Sequence, residues 1–91
     1  MYKQERRLSM NKEMYGVIND GMDLLKNPYF DNNMFLVWLD YSRKMLDLVS
    51  QNTMVKYQYS TFLMSIVGSQ ESPDVKLRKC IDFLINTLPL I

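Results

Sequence analysis

The sequence predicts an all-α protein, a compact bundle of about four helices forming one domain over residues 1–91. Three observations carry that reading. Apolar residues recur at three- and four-residue spacing in four successive segments. Strand signals are poor, with no sustained polar–apolar alternation and no Asn-Gly or Asp-Gly hairpin turn. Only three glycines and three prolines punctuate the chain, and Gly68 and the prolines fall where helices would stop or start.

The first helix is expected from about Ser9 or Asn11 to Lys26, with Met14, Ile18, Met22 and Leu25 as its apolar line and Val17 and Leu24 widening it. Gly21 lies in the same stripe, where glycine costs about 1 kcal/mol of helix propensity relative to alanine. The return expected for that cost is close approach by a neighbouring helix. Asn27-Pro28 closes the helix, because the residue before proline avoids the α region. Residues 1–8 form either a mobile basic arm or an extension of this helix.

The second helix starts near Asp31 to Asn33, each able to cap free N–H groups, and runs to about Ser50 or Gln51. From Met34 to Leu39 every residue is apolar, so that turn requires burial all round, by the fold or by another chain. From Asp40 onward the charges Asp40, Arg43, Lys44 and Asp47 gather on one side, leaving Tyr41, Met45, Leu48 and Val49 toward the other. Asp40–Lys44 and Arg43–Asp47 are spaced as i, i+4 ion pairs on a solvated face.

The third helix follows Asn52 or Thr53 as cap, with Val55, Tyr59, Phe62 and Ile66 as its core line and Leu63 and Val67 beside them. Gly68 is placed as a left-handed stop. The stretch GSQESP is a loop, and Ser72-Pro73 supplies an N-cap with proline at the first helical position. The fourth helix carries Leu77, Ile81, Leu84 and Leu88 until Pro89 ends it.

Composition bounds the chemistry. The chain is 47% hydrophobic and 23% charged, ordinary for a globular domain. Eleven basic against ten acidic residues give a net charge of +1, which does not favour a polyanion partner. It also leaves little self-repulsion to oppose self-association. No apolar run approaches membrane-spanning length, and no secretory signal follows the basic start. With a single cysteine, Cys80, set in an apolar helical stretch as core filler, this points to a cytoplasmic protein with no membrane partner.

The chain has no histidine, which removes the usual general base near neutral pH and the commonest transition-metal ligand. One cysteine cannot build a thiolate zinc site, and the isolated Gly16, Gly21 and Gly68 make no phosphate loop. Asp20 and Asp23 share a helical face and read as solvated. The expectation is a non-enzymatic protein with no catalytic residue, metal or cofactor.

Two features could bind a partner. The first is a set of apolar residues suited to a protein interface, whether with another protein or a second copy: Tyr29, Phe30, Met34, Leu36, Val37, Leu90 and Ile91. Eight methionines add to that supply, because the flexible thioether suits adaptable surfaces. The second is Tyr2, Lys3, Arg6 and Arg7, an aromatic among cations that can stack on a base and clasp phosphates. With Lys12 against Glu5, residues 1–12 carry +4 − 1 = +3. That group supports an alternative function as a nucleotide or nucleic-acid binder, including a signalling-nucleotide sponge.

Over residues 14–88 the chain loosely resembles small helical modules of bacterial phage-defence proteins of the abortive-infection type. The resemblance rests on Gly21 before Leu24-Leu25, the Phe35-x-x-Trp38 step followed by Leu46, then Tyr59 and Phe62. Lys76-Leu77 with Ile81 and Leu84 completes it. It implies an interaction or assembly module. A free-standing version would be a phage or mobile-element accessory protein that binds a host component.

Overall fold

The computed structural model describes the backbone of residues 2–91 and the side chains of residues 12–91. Helices α1 (Tyr2–Lys26), α2 (Asn32–Val49), α3 (Thr53–Val67) and α4 (Pro73–Thr87) are followed by a 3₁₀ turn, Leu88–Leu90. No strand occurs among the described residues. Connectors this short force successive helices to run antiparallel. The helices touch in the cyclic order α1–α2–α3–α4–α1, with α2 also meeting α4 across the centre. The molecule measures 43 × 25 × 18 Å.

The helix boundaries follow from local chemistry. Asp31 caps α2, its carboxylate accepting the Met34 backbone N–H at 2.9 Å. Asn52 caps α3 by accepting the N–H groups of Met54 and Val55 at 3.1 and 3.3 Å. Pro73 opens α4, where a missing N–H costs nothing. Gly68 departs from the expected left-handed stop, with φ −78° and ψ −7°. The Ser69 N–H instead donates to the Ile66 carbonyl at 3.1 Å, so the last turn of α3 tightens to i→i−3 bonding. Ser69 Oγ then accepts the Glu71 N–H at 3.1 Å and shapes the loop without a left-handed residue.

The core is built from Met14, Val17 and Ile18 of α1, Phe35, Trp38 and Leu46 of α2, Val55, Tyr59, Leu63 and Ile66 of α3, and Leu77, Cys80, Ile81 and Leu84 of α4. Met22 does not join it, being 39% exposed. Each four-residue step turns 400°, so by the second step after Met14 the line has drifted some 80° off the core face. Val17 and Gly21, at three and seven residues from Met14, hold that face instead. On α3 Leu63 is buried in the place expected of Phe62, which is half-buried and stacks on Phe83 of α4 with centroids 4.6 Å apart. Val67 is exposed.

A glycine contact and a buried pair of hydroxyls fix how the helices meet. Gly21 lets α2 and α4 approach α1, and a methyl group there would lie 3.1 Å from both the Trp38 ring and Ile81 Cδ1. Between α2 and α3, the Ser42 and Tyr59 hydroxyls are 2.7 Å apart. Ser42 gives its single proton to the Leu39 carbonyl at 2.7 Å, so Tyr59 is the donor to Ser42. Burial pushes the Tyr59 phenol well above its ordinary pKa.

Candidate functional site

The all-apolar turn of α2 divides into two classes of position. Phe35 and Trp38 enter the core, and Leu39 packs against it. Val37 is 72% exposed, Leu36 is exposed and Met34 is half-buried. The fold therefore covers half of this turn and leaves the other half open.

The open half borders a groove of about 550 Å³ between α1 and α2. Leu24 of α1 and Met34, Val37, Trp38 and Tyr41 of α2 supply its apolar lining, with Asp20, Asp23 and Asn33 as its polar members. Positions 34, 37, 41 and 48 fall on one helical flank, and Leu48 extends that flank with 77% exposure. Tyr41 and Leu48 were expected on the inward side of α2, but the core face centres on Phe35, Ser42 and Leu46. The seven-residue repeat Met34–Tyr41–Leu48 is the sequence signal that marks this separate stripe.

The other candidate interface residues lie elsewhere. Leu36 is a third of a turn from Val37 and does not line the groove. Tyr29, 84% exposed, and half-buried Phe30 sit in the α1–α2 connector, Phe30 against the core. Leu90 is exposed and Ile91 packs on the core, and the Leu90 carbonyl accepts Asn52 Nδ2–H at 3.0 Å. Asn52 follows the far end of α2, so the chain end lies about 27 Å of helix away from the Tyr29–Met34 end. The seven residues do not form one patch; Met34 and Val37 alone share the groove.

A second, smaller hollow of about 150 Å³ lies between α2 and α3 and gathers Arg43, Lys44 and Lys56. It is not an open anion site, because each cation already faces a carboxylate. Asp40 binds Lys44 at 2.9 Å and Arg43 at 3.0 Å, and Lys56 lies 3.6 Å from Asp47. Arg43 thus pairs with Asp40 and not with Asp47. Lys44 first, and Arg43 with it, hold the Asp40 carboxyl below its ordinary range. A fourth pair ties the GSQESP loop to α4: Lys79 lies 2.6 Å from Glu71 and, with Ser69, lowers its pKa. All four pairs are exposed or half-exposed, so they mark solvated surface rather than chemistry.

Cys80 is fully buried, and burial pushes its thiol up to about 12, so it is a packing residue and not a nucleophile. The side chains of Tyr2, Lys3, Arg6 and Arg7 lie outside the described residues. Among the described residues no helix is long and apolar enough to cross a membrane. No family model, curated protein or solved structure matches the chain.

Proposed function

We infer that the protein is a non-enzymatic interaction module that self-associates, with a second copy covering the stripe Met34–Val37–Tyr41–Leu48 and the adjoining α1–α2 groove. The observation that carries this reading is the exposure of Val37 and Leu48 on one flank of α2 beside an apolar groove. Exposed apolar side chains beside an apolar groove are a common mark of protein contact. The seven-residue spacing suits a helix–helix seam, and the net charge of +1 leaves little repulsion between copies.

Native mass measurement on the isolated chain tests the reading. A dimer or larger closed assembly is the expected result. A strict monomer at high micromolar concentration would remove the self-association.

A further inference from the structure

We propose that the outer face of α3 is a second self-contact, at which two copies cross antiparallel about a two-fold axis beside Ser60 and Thr61. This surface is separate from the one at α2, since the α1–α2 groove contains no residue of α3. Charge is what sets it apart. Lys56 is the single charged residue between Thr53 and Val67, and it is half-buried with its ammonium 3.6 Å from Asp47. No exposed position of α3 is charged. The other helices all expose both signs, as with Asp20 and Lys26 on α1, Arg43 and Asp47 on α2, and Arg78 and Asp82 on α4. Water-facing surface ordinarily has about a quarter to a third of its residues charged.

Large apolar side chains stand there instead. Met54, Tyr57 and Met64 are 63%, 70% and 79% exposed. With Thr61 they follow one another at three, four and three residues, which places them in one stripe. Absence of Asp, Glu and Lys together with exposed Tyr and Met is the composition of an interface centre.

The same chemistry names the occupant. A charged partner surface would give up water against this face and find no counter-charge. The partner must be neutral, and among the described residues α3 alone presents such a face. Its pattern is also self-complementary. Ser60 and Thr61 lie midway between Tyr57 and Met64, so a two-fold axis there sets Tyr57 of each copy level with Met64 of the other. The small hydroxyl side chains fall at the crossing, where two helices come closest. Each thioether then packs on a phenol ring, a favourable contact, and the two helix dipoles oppose. Fifteen residues make a helix about 22 Å long and about 10 Å wide, a small surface beside the about 800 Å² per partner of a stable interface. The contact is therefore weak and shows as a further step of association above the α2 dimer.

Cysteine cross-linking tests the arrangement. Thr61→Cys and Ser60→Cys each stand beside the axis, so the two copies' thiols meet. Ser65→Cys is also exposed but lies about 13 Å along the helix from its symmetry mate, beyond disulfide reach. Oxidised glutathione takes up the two electrons and two protons that the thiol pair releases. At high micromolar protein, the first two variants should form covalent dimers about tenfold faster than Ser65→Cys, because only their thiols come within bridging distance. The native thiol, Cys80, is buried and common to all three. Adding Tyr57→Lys/Met64→Lys to Thr61→Cys should slow its cross-linking to the Ser65→Cys rate, with circular dichroism still helical. Equal rates for the three variants, a faster Ser65→Cys, or no effect of the lysines overturns the contact. The two surfaces fail separately. If Val37→Glu abolishes the dimer and Thr61→Cys gains nothing over Ser65→Cys, the α3 contact is overturned and self-association at α2 stands. If Val37→Glu changes nothing and Thr61→Cys still cross-links faster, the α3 contact stands alone.

Discussion

The indole N–H of Trp38 donates to the backbone carbonyl of Val17 at 2.9 Å, crossing α1 at the bare backbone of Gly21. The Val17 carbonyl lies one turn before Gly21 and points along the helix toward it. A Cβ at position 21 would lie 3.1 Å from Cε2 and Cζ2 of the Trp38 ring, tighter than an ordinary contact. The glycine that costs α1 helix propensity is what admits the one tryptophan of the chain to its partner.

Gly21→Ala should therefore destabilise the protein, although alanine is the better helix former. The overpacking penalty of about 1–3 kcal/mol exceeds the propensity gain of about 1 kcal/mol. A net loss of about 1 kcal/mol in denaturant unfolding is expected, with a changed Trp38 emission as the ring is displaced.

The Ser42–Tyr59 contact should behave as a unit. Tyr59→Phe leaves the Ser42 hydroxyl without its donor inside the bundle and should cost about 1–2 kcal/mol. Ser42→Ala leaves the Tyr59 phenol with no acceptor and should cost a similar amount. The double variant should lose clearly less than the sum, a coupling that chemical unfolding of the four proteins would measure.

Asn52 closes two separate joints, the start of α3 and the C-terminal Leu90 carbonyl. Asn52→Ala should cost about 1–2 kcal/mol. Asn52→Asp keeps the cap but cannot donate to Leu90, so it should retain most of the stability. Hydrogen exchange should report faster opening of residues 88–91 in both variants.

Stability should fall in alkali from about pH 9 upward. Burial raises the folded-state pKa of Cys80 to about 12 and moves that of Tyr59 upward as well. The unfolded chain releases these protons first, near about 8.5 for the thiol and 10 for the phenol. Above those values the unfolded state binds fewer protons than the folded one, so unfolding free energy declines as pH rises. Cys80→Ala should flatten the earlier part of that decline in a melting series from pH 7 to 11.

Much of the fold is legible because periodicity and caps are local. Asp31, Asn52 and Pro73 open helices for reasons contained within three residues of themselves. What the sequence leaves open depends on packing between helices. Met22 fits the apolar line of α1 step by step but lies some 80° round the helix from Met14, and Gly21, against Trp38 and Ile81, holds the core face instead. Gly68 offers a left-handed stop that the Ser69–Glu71 turn makes unnecessary. At the candidate site, the excess apolar character of Met34–Leu39 is plain from composition. Its direction is not, because the flank that Val37 and Tyr41 share is known to face outward only once the core face of α2 is known.

The central claim is that the exposed flank of α2 is covered by a second copy. Sedimentation equilibrium of the wild-type protein beside Val37→Glu and Leu48→Glu tests it most directly. Both positions are largely exposed in a single chain, so the substitutions should change its intrinsic stability by less than about 0.5 kcal/mol. The predicted result is a wild-type dimer and two folded monomeric variants. A wild-type protein that sediments as a monomer into the high micromolar range, or variants that dimerise as wild type does, would contradict it.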